Sequence, residues 1–276
     1  MANESGAMLV VPHQDDEMFI FHRLRALLRQ GVTVHVVWIS DGASHDADLR
    51  RDPTIRWFFP LLVQSDNETI RRVRELESRT LMQHLGVPAR DQSFLGYPSG
   101  RLHHHLPAIL DDLRQLFRRG EPQEIYTVAF DHSHFEHDLC NAAVRLAAAP
   151  SSRLYEFPVL SLAHGFGRYR WLLPCPGNQI HRTRFGRTQE RFRLDLFRRA
   201  FPSQWSVALL ERLCALFPTD FRRLGEPYRE LPRYDYTRPI RGMIPHYLPK
   251  SLTFEDLRRA LLPFLTDHPA TTCIDA

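Results

Sequence analysis

Short apolar runs alternate with amphipathic segments along the first 160 residues of the chain, and this alternation predicts a parallel α/β sheet. Four of the runs have the length and the apolar content of buried strands. They cover residues 7–11, 32–39, 93–95 and 124–128. The segments between them repeat apolar residues at helical spacing, so each is expected to form a crossover helix between neighbouring strands.

The predicted helices of this half follow the strands directly. They cover residues 17–30 and 67–85, a segment that begins near residues 103–105, and a segment after residue 138. Gly86 and Pro88 come after the second of them and are typical helix-ending residues. Residues 46–66 mix acids, arginines and bulky side chains, and we expect them to form a long loop beside the functional site.

The half of the chain after residue 150 has a weaker pattern. It predicts strands at residues 153–159 and 170–173, helices at 191–200, 206–217 and 254–265, and irregular structure at 226–249. No repeat, low-complexity segment or linker separates a second domain. We therefore predict a single domain over residues 1–276, with a Rossmann-like, mostly parallel sheet flanked by helices and an irregular C-terminal elaboration.

Composition and charge narrow the function classes. The chain has 276 residues, 43% of them hydrophobic, and a net charge of +4. This is enough apolar material for a core, and the arginines are interleaved with acids, so a nucleic-acid partner is not expected. The four cysteines form no C-x-x-C pair, which argues against a cysteine zinc module and against a disulfide framework.

No apolar run of the sequence has the length needed to span a bilayer, and no charged segment followed by an apolar one begins the chain. We therefore expect a protein without a transmembrane segment, with reduced thiols, in the cytoplasm. No feature of the sequence predicts an oligomeric state.

The first predicted strand leads directly into a histidine and three acids, which are His13, Asp15, Asp16 and Glu17. Open α/β sheets bind ligands at the carboxyl ends of their strands, and histidine and aspartate are ligands of catalytic zinc. Adjacent aspartates point in different directions, so one can bind a metal while the other faces a water. The alternative is that these acids only begin a helix, where they stabilise its dipole.

A second strand end carries three more histidines. The loop after the fourth predicted strand contains His132, His134, Glu136, His137 and Asp138. Parallel strands bring their carboxyl ends to one edge of a sheet, so the two loops are expected to meet, which favours a metal site. The histidines at 103–105 are successive on a predicted helix, and their side chains diverge too much to bind one ion.

The turn after the second predicted strand is expected to border the same site. It contains Asp41, Gly42 and Ser44, and its glycine allows a ligand to approach the backbone closely. For Asp41 and Ser44 the alternative is a simple role in forming the turn. A second glycine-containing turn, residues 96–100, follows the third strand.

With both histidine loops in view, the sequence resembles the PIG-L/LmbE-like family of zinc-dependent N-deacetylases. The family motif A-H-P-D-D-E is similar to Pro-His-Gln-Asp-Asp-Glu at residues 12–17, and the motif H-P-D-H is similar to His-Phe-Glu-His at residues 134–137. Weaker similarities occur at residues 74–77, 95–100 and 203–204. Either main motif alone is a weak signal, whereas the two together are fairly specific.

The resemblance implies a reaction and a role for each residue of the two motifs. The family removes acetyl groups from N-acetylglucosamine-type groups with a bound Zn²⁺ ion, and other divalent ions suit the same ligands. Carried over by position, His13, Asp16 and His137 bind the metal. Asp15 is the general base, and His134 stabilises the oxyanion.

The resemblance also implies how the substrate is bound. Arg74 is expected to contact the sugar, with Asp41 and Gly42 lining the same mouth and Gln204 as a further candidate. The alternative for Arg74 is an ordinary surface arginine. The expected substrate is an N-acetylated amino sugar, either a small molecule or part of a glycoconjugate.

Three residues depart from the family motifs. Gln14 replaces a proline, Glu136 an aspartate and Ser99 an acid. Glu136 is still expected to orient a histidine that binds the metal. His132 stands where some members have a tyrosine that helps the oxyanion. It is expected to be an inert neighbour, and the alternative is that it replaces the tyrosine as a donor. These departures keep open the alternative of a catalytically silent sugar-binding or structural protein. A zinc amidase of the same family that cuts a different amide is a second alternative.

Overall fold

A mixed sheet forms the centre of the protein in the computed structural model, which describes residues 6–43, 51, 56, 60, 64–159, 170, 172–175, 177–214, 220–240, 247 and 251–265. Its strands are β1 Gly6–Val11, β2 Thr33–Ser40, β3 Gln92–Tyr97, β4 Glu124–Val128, β5 Arg153–Phe157, β6 Ile180–Thr183 and β7 Glu226–Glu230. Their order across the sheet is β3-β2-β1-β4-β5-β7-β6. Strands β1 to β5 pair in parallel, and β7 is antiparallel to β5 and β6. The predicted, mostly parallel α/β sheet is confirmed.

Helices follow the strands as the alternation of the sequence predicts. Those with described bounds are α1 Phe21–Arg29, α2 Asn67–Leu85, α3 Leu106–Gly120, α4 Phe135–Ala147, α5 Arg187–Ala200, α6 Trp205–Cys214, α7 Asp220–Leu224 and α8 Phe254–Leu261. Three of them begin after a 3₁₀ segment, which is Asp16–Ile20 before α1, Leu102–His105 before α3 and Pro202–Gln204 before α6. The predicted helix 17–30 is therefore 3₁₀ in its first turn.

Strand β1 lies in the middle of the parallel sheet because its side chains are apolar on both faces. Its residues 7–11 are all buried, as expected for a strand that helices cover on both sides. It pairs with β2 on one side and with β4 on the other. The order of strand addition reverses at β1, so the loops after β1 and β4 are neighbours at the carboxyl edge, where open α/β sheets bind ligands.

The prediction of a strand at residues 170–173 is wrong. None of the described residues 170 and 172–175 belongs to a strand. Arg170 has a φ of +52°, which a regular strand does not allow. Its guanidinium lies 4.1 Å from the centre of the Phe221 ring and 3.3 Å from Glu226, so the side chain is buried by specific contacts of its own.

Residues 226–249 were predicted to be irregular, and the structure corrects this for the first five, which form β7. Apolar alternation failed here because the buried side chains of β7 include the charged residues Glu226 and Arg229. Strand β7 also contains Pro227. Proline is rare in strands, so its presence made the strand pattern harder to recognise.

Some predictions lie outside the described residues. They concern Ser44, most of the 46–66 loop and the last residues of the helix predicted at 206–217. Within the described part of the chain, no helix has both the length and the hydropathy required to span a membrane.

A buried ion pair joins the antiparallel edge of the sheet to its parallel part. Arg229 of β7 lies 2.7 Å from the carboxylate of Glu156 in β5, and both side chains are at most 1% exposed. The hydroxyl of Tyr234 donates to the same carboxylate at 2.7 Å. Because both charges are removed from water, the loss of either partner would leave the other charge buried and uncompensated.

Arg229→Met is expected to lower the free energy of unfolding by about 3–5 kcal/mol, because it leaves the Glu156 carboxylate buried without its cation. Denaturant titration measures this change. The matched control is Arg153→Met, since Arg153 pairs with Glu124 while 61% exposed, and its expected loss is below about 1 kcal/mol. Equal losses in the two variants would contradict the buried pairing of β7.

Candidate functional site

The loops after β1 and β4 meet at the carboxyl edge of the sheet. The ring centre of His13 lies 4.8 Å from that of His134 and 5.4 Å from that of His137. Asp16 lies between the loops, with Oδ2 3.3 Å from His13 Nδ1 and Oδ1 3.5 Å from His137 Nε2. The four side chains that the sequence pattern predicts to lie close together, those of His13, Asp16, His134 and His137, therefore form one cluster.

The cluster has donor atoms that suit a metal ion. One nitrogen of each of His13, His134 and His137 lies within 4.8 Å of the others, and Asp16 adds a carboxylate. Among the residues that the structure describes, Nδ1 of His137 has no hydrogen-bond partner although it is buried, a condition that calls for a further ligand. Imidazole and carboxylate groups are ligands of zinc, although the same set binds other divalent ions.

Hydrogen bonding distinguishes His134 from the other two histidines. It occupies the N-cap position of α4, where its Nδ1 accepts the backbone amide of Glu136 at 3.2 Å. Burial lowers the pKa of His134 well below its ordinary value, and repulsion from His137 and His13 adds to this. A neutral imidazole that accepts at Nδ1 carries its proton at Nε2, so His134 offers an N–H donor instead of a free lone pair.

Glu136 fixes the orientation of His13. Its Oε2 lies 2.7 Å from His13 Nε2, which leaves Nδ1 of the ring on the side of Asp16. The hydroxyl of Ser99 and the amide of Gly100 donate to Glu136 at 3.0 Å and 2.7 Å. The geometry agrees with the expected orienting role of Glu136, and Ser99, which stands where the family motif has an acid, acts as a donor to it.

The carboxylates around His13 and His137 set the charge of the site. Burial lowers the pKa of His13, but hydrogen bonds to Asp16 and Glu136 outweigh it and raise the pKa to about 10. For Asp16, burial raises the pKa, and attraction to His137 and His13 outweighs this and lowers the pKa far below its ordinary value. This part of the site therefore stabilises positive charge.

Asp15 lies next to this cluster in a strained backbone conformation. Its φ is +119°, in a region that costs a residue with a side chain about 1–3 kcal/mol. Arg74 donates to Asp15 Oδ1 at 3.1 Å. Burial raises the pKa of Asp15 to about 7 against the lowering influence of Arg74, and the neighbouring Asp16 also raises it.

Glu17 does more than begin a helix, which was its expected role. Its side chain is completely buried and accepts hydrogen bonds from the amide of Asp15, the indole of Trp38 and the hydroxyl of Ser78, at 2.9, 3.1 and 2.6 Å. Burial raises the pKa of Glu17, and the hydrogen bond from Ser78 opposes the rise. The signal in the sequence was an acid placed directly before an apolar run.

Arg74 is buried in α2, so the surface-arginine alternative is wrong. It is 6% exposed, and its Nε has no hydrogen-bond partner in the described part of the chain. One turn later, Glu77 accepts the amide and the hydroxyl of Ser203 at 2.7 and 2.6 Å. The two weaker family similarities at residues 74–77 and 203–204 therefore meet beside the site, with Gln204 buried next to Ser203.

Asp41 connects two turns at the rim of the site. Its Oδ1 accepts the backbone amides of Ala43 and Ser99 at 2.9 and 3.1 Å. These contacts fit the turn-forming alternative for Asp41. They also hold the turn after β2 against the turn after β3, so that both border the cluster.

Gly42 permits close packing beneath that turn. Its φ is +66°, and a Cβ added there would overlap Gln14 Oε1 and lie 3.2 Å from Arg74 Nε. Gln14 is itself fixed, because its Nε2 donates to the carbonyl of Ser40 at 2.8 Å. The residue that replaces the family's proline thus packs against the glycine of the neighbouring loop.

His132 agrees with its expected inert role. Its Nδ1 lies 2.6 Å from Asp138 Oδ2, and its Nε2 accepts the amide of Ile240 at 3.0 Å. Both ring nitrogens are engaged inside the protein. Tyr247 donates to the same carboxylate at 2.7 Å, so the group ties the C-terminal segment to the second loop.

Comparison with known proteins identifies relatives of the whole arrangement. The sequence pattern of the family described as PIG-L, GlcNAc-PI de-N-acetylase, matches residues 8–148, which is just over half of the chain and includes both histidine loops. None of the curated proteins matches the chain. The family predicted from the two motifs is confirmed.

Solved structures share the fold at low sequence identity. A triple mutant of a deacetylase involved in teicoplanin biosynthesis is 17% identical with a TM-score of 0.60, over 84% of this chain and 99% of that chain. The zinc-inhibited form of teicoplanin deacetylase is 14% identical with a TM-score of 0.57, over 82% and 96%. The 4-carboxy-2-hydroxymuconate hydratase GalB from Pseudomonas putida KT2440 is 14% identical with a TM-score of 0.50, over 82% and 95%. Since a hydratase is among them, the fold alone does not decide the reaction.

Gly42→Ala is expected to destabilise the protein more than Gly86→Ala. Both glycines have a positive φ, +66° and +82°, so alanine adds about 1–2 kcal/mol of backbone strain at either position. The added methyl group meets Gln14 and Arg74 at Gly42. At Gly86 no atom of the described residues, apart from the chain neighbours of the glycine, lies within 4 Å of it. In denaturant titrations, the difference between the variants should exceed about 1 kcal/mol. If the two losses are the same, the close packing at Gly42 is refuted.

Proposed function

The chain belongs to the PIG-L family, and from this premise we propose that it is a zinc-dependent hydrolase that removes the acetyl group from an N-acetylated amino sugar, free or in a glycoconjugate or metabolite precursor. The supporting observation is the convergence of two loops at one edge of the sheet. They bring together a histidine and aspartate cluster, a separate buried carboxylate and a neutral histidine donor. Metal-assisted amide hydrolysis uses these three functions.

We assign the metal to His13, Asp16 and His137. His13 would bind through Nδ1, because Glu136 engages its Nε2 at 2.7 Å, and His134 is left out because its Nδ1 accepts the Glu136 amide. When bound, the zinc ion would supply a Lewis acid and a water of lowered pKa.

Asp15 is assigned as the general base. In this role it takes the proton of the attacking water and passes it to the leaving nitrogen, so that the amide C–N bond breaks to give acetate and a free amine. Arg74 holds its carboxylate at 3.1 Å.

His134 is assigned to the oxyanion. Its Nε2–H is the donor that the substrate's carbonyl oxygen requires as negative charge develops on it, and one such donor typically contributes about 10²–10³-fold to kcat. The hydrogen bond from the Glu136 amide fixes the ring before substrate arrives, so no reorganisation accompanies the reaction.

Substrate contacts are assigned to the rim of the site. Arg74, which donates to the Asp15 carboxylate at 3.1 Å, would contact the sugar. Asp41 and Gly42 would border the substrate as parts of the turn after β2. We further propose that residues 1–276 form a single domain and that the enzyme acts in the cytoplasm on a small-molecule or glycoconjugate substrate.

The direct test is amine release from a panel of N-acetylated sugars and glycoconjugates. Purified, zinc-loaded protein should release free amine and acetate in equal amounts from at least one of them, lose this activity with a chelator and regain it with Zn²⁺. A larger acid in place of acetate would indicate the amidase alternative. No amine release by metal-loaded protein from any member of the panel would contradict a deacetylase.

Asp15→Asn is expected to keep the metal and to lower kcat by about 10²–10⁴-fold, because the amide can still accept from Arg74 but cannot take a proton. His13→Ala should lose the metal. The control is His104→Ala, since His104 is an exposed histidine that does not belong to the cluster of His13, His134 and His137, and it should change neither metal content nor kcat. Metal analysis and steady-state kinetics on the same preparations give both readouts; near-normal turnover in Asp15→Asn would remove Asp15 as the base.

A further inference from the structure

Glu17 is a buried acid that the roles above leave without a function. Its exposed fraction is 0%. Its carboxylate accepts hydrogen bonds from the Asp15 amide, the Trp38 indole and the Ser78 hydroxyl. A buried carboxylate is costly unless such donors surround it. An apolar side chain would fill the same space at less cost, so its retention calls for a reason beyond packing.

The contact with Asp15 is made through the backbone. The Asp15 amide donates to Glu17 Oε2 at 2.9 Å, and on its other side the Asp15 carbonyl accepts the amide of Met18 at 3.0 Å. The φ of Asp15 is +119°. A residue with a side chain persists in such a conformation only when surrounding contacts impose it, and the bond to Glu17 is a contact of that kind.

Glu17 is fixed by two neighbouring elements of the fold. Trp38 of β2 donates to Oε2 at 3.1 Å and is held by stacking on Phe94 of β3, with ring centres 4.3 Å apart. Ser78 of α2 donates to Oε1 at 2.6 Å. The acid therefore cannot change rotamer without breaking contacts to both the sheet and a helix.

Two side chains on one face of α2 act on Asp15, one at its carboxylate and one at its backbone amide. Arg74 and Ser78 are four residues apart, so they lie on the same side of the helix. Arg74 contacts the Asp15 carboxylate directly, while Ser78 acts on the Asp15 amide through Glu17. The direction of the carboxylate is thus set from two points on one rigid element.

We propose that Glu17 is a positioning residue for the reaction: its fixed carboxylate holds the Asp15 amide, maintains the positive φ and thereby aims the Asp15 carboxylate at the reacting water. The inference rests on the proposed function in taking Asp15 as the base. A purely structural Glu17 would support Trp38 and Ser78 without affecting the direction of Asp15.

The test compares Glu17→Met with Glu17→Gln. Glutamine can still accept from the Asp15 amide and from Trp38 through its oxygen, and the Ser78 hydroxyl can rotate to accept from its NH₂ group. Methionine has a similar length and accepts none of them. We expect Glu17→Met to lower kcat about 10–100-fold, with KM and metal content as in the wild type, and Glu17→Gln to stay within about threefold of the wild type. Equal kcat in the two variants, or a loss of stability without a change in kcat, would overturn the proposal.

A second pair of variants tests the proposal if Glu17→Met does not fold. Ser78→Ala removes one anchor of Glu17 and leaves the acid in place. Its control is Thr80→Ala on the same helix, because the Thr80 hydroxyl donates to the carbonyl of Leu76 within that helix. Ser78→Ala should lower kcat by at least about threefold with KM unchanged, and Thr80→Ala should not. The same kcat in both would overturn the positioning role.

Crystal structures of the Glu17 variants separate this proposal from the proposed function. Asp15 is expected to keep its positive φ in Glu17→Gln and to relax to a negative φ in Glu17→Met, or in Ser78→Ala to show a mixture of the two. A positive φ retained in Glu17→Met would overturn the proposal whatever reaction the enzyme catalyses. A wild-type protein that releases no amine would instead refute the proposed function and leave this structural result standing.

Discussion

The contact of Asp16 with two histidines from different loops is the interaction on which the site depends. His13 Nδ1 and His137 Nε2 lie 3.3 and 3.5 Å from the two oxygens of this carboxylate. The contact is possible because β1 and β4 are adjacent parallel strands, so that segments far apart in sequence reach the same edge. Helix α4, which begins at Phe135, then sets the spacing of the second loop.

Buried acids organise the surroundings of this contact, each through a different set of donors. Glu136 accepts hydrogen bonds from Ser99 and Gly100 and orients His13. Glu17 and Arg74 form hydrogen bonds with the backbone amide and the carboxylate of Asp15. A buried carboxylate that lost its donors would cost several kcal/mol. The same bonds that satisfy these acids therefore make the site rigid, which is the condition for electrostatic catalysis without reorganisation.

The sequence was informative where burial is apolar and local. The alternation of apolar runs predicted the parallel strands, and histidines with acids at two strand ends predicted the meeting of the loops. Strand β7 was not predicted because its buried residues Glu226 and Arg229 are charged and form ion pairs with residues outside the strand. The hydrogen bonds of Glu17 could not be predicted from the sequence either, since its donors Trp38 and Ser78 come from segments that only the folded chain brings together.

Anomalous scattering at the zinc edge from crystals of the zinc-loaded protein tests the central claim most directly. We expect one strong peak within about 2.0–2.2 Å of nitrogen atoms of His13 and His137 and a carboxylate oxygen of Asp16. His134 should keep its hydrogen bond to the Glu136 amide and remain outside the coordination shell. A peak coordinated by His134 in place of Asp16, or no peak at the edge of β1 and β4, would contradict the account.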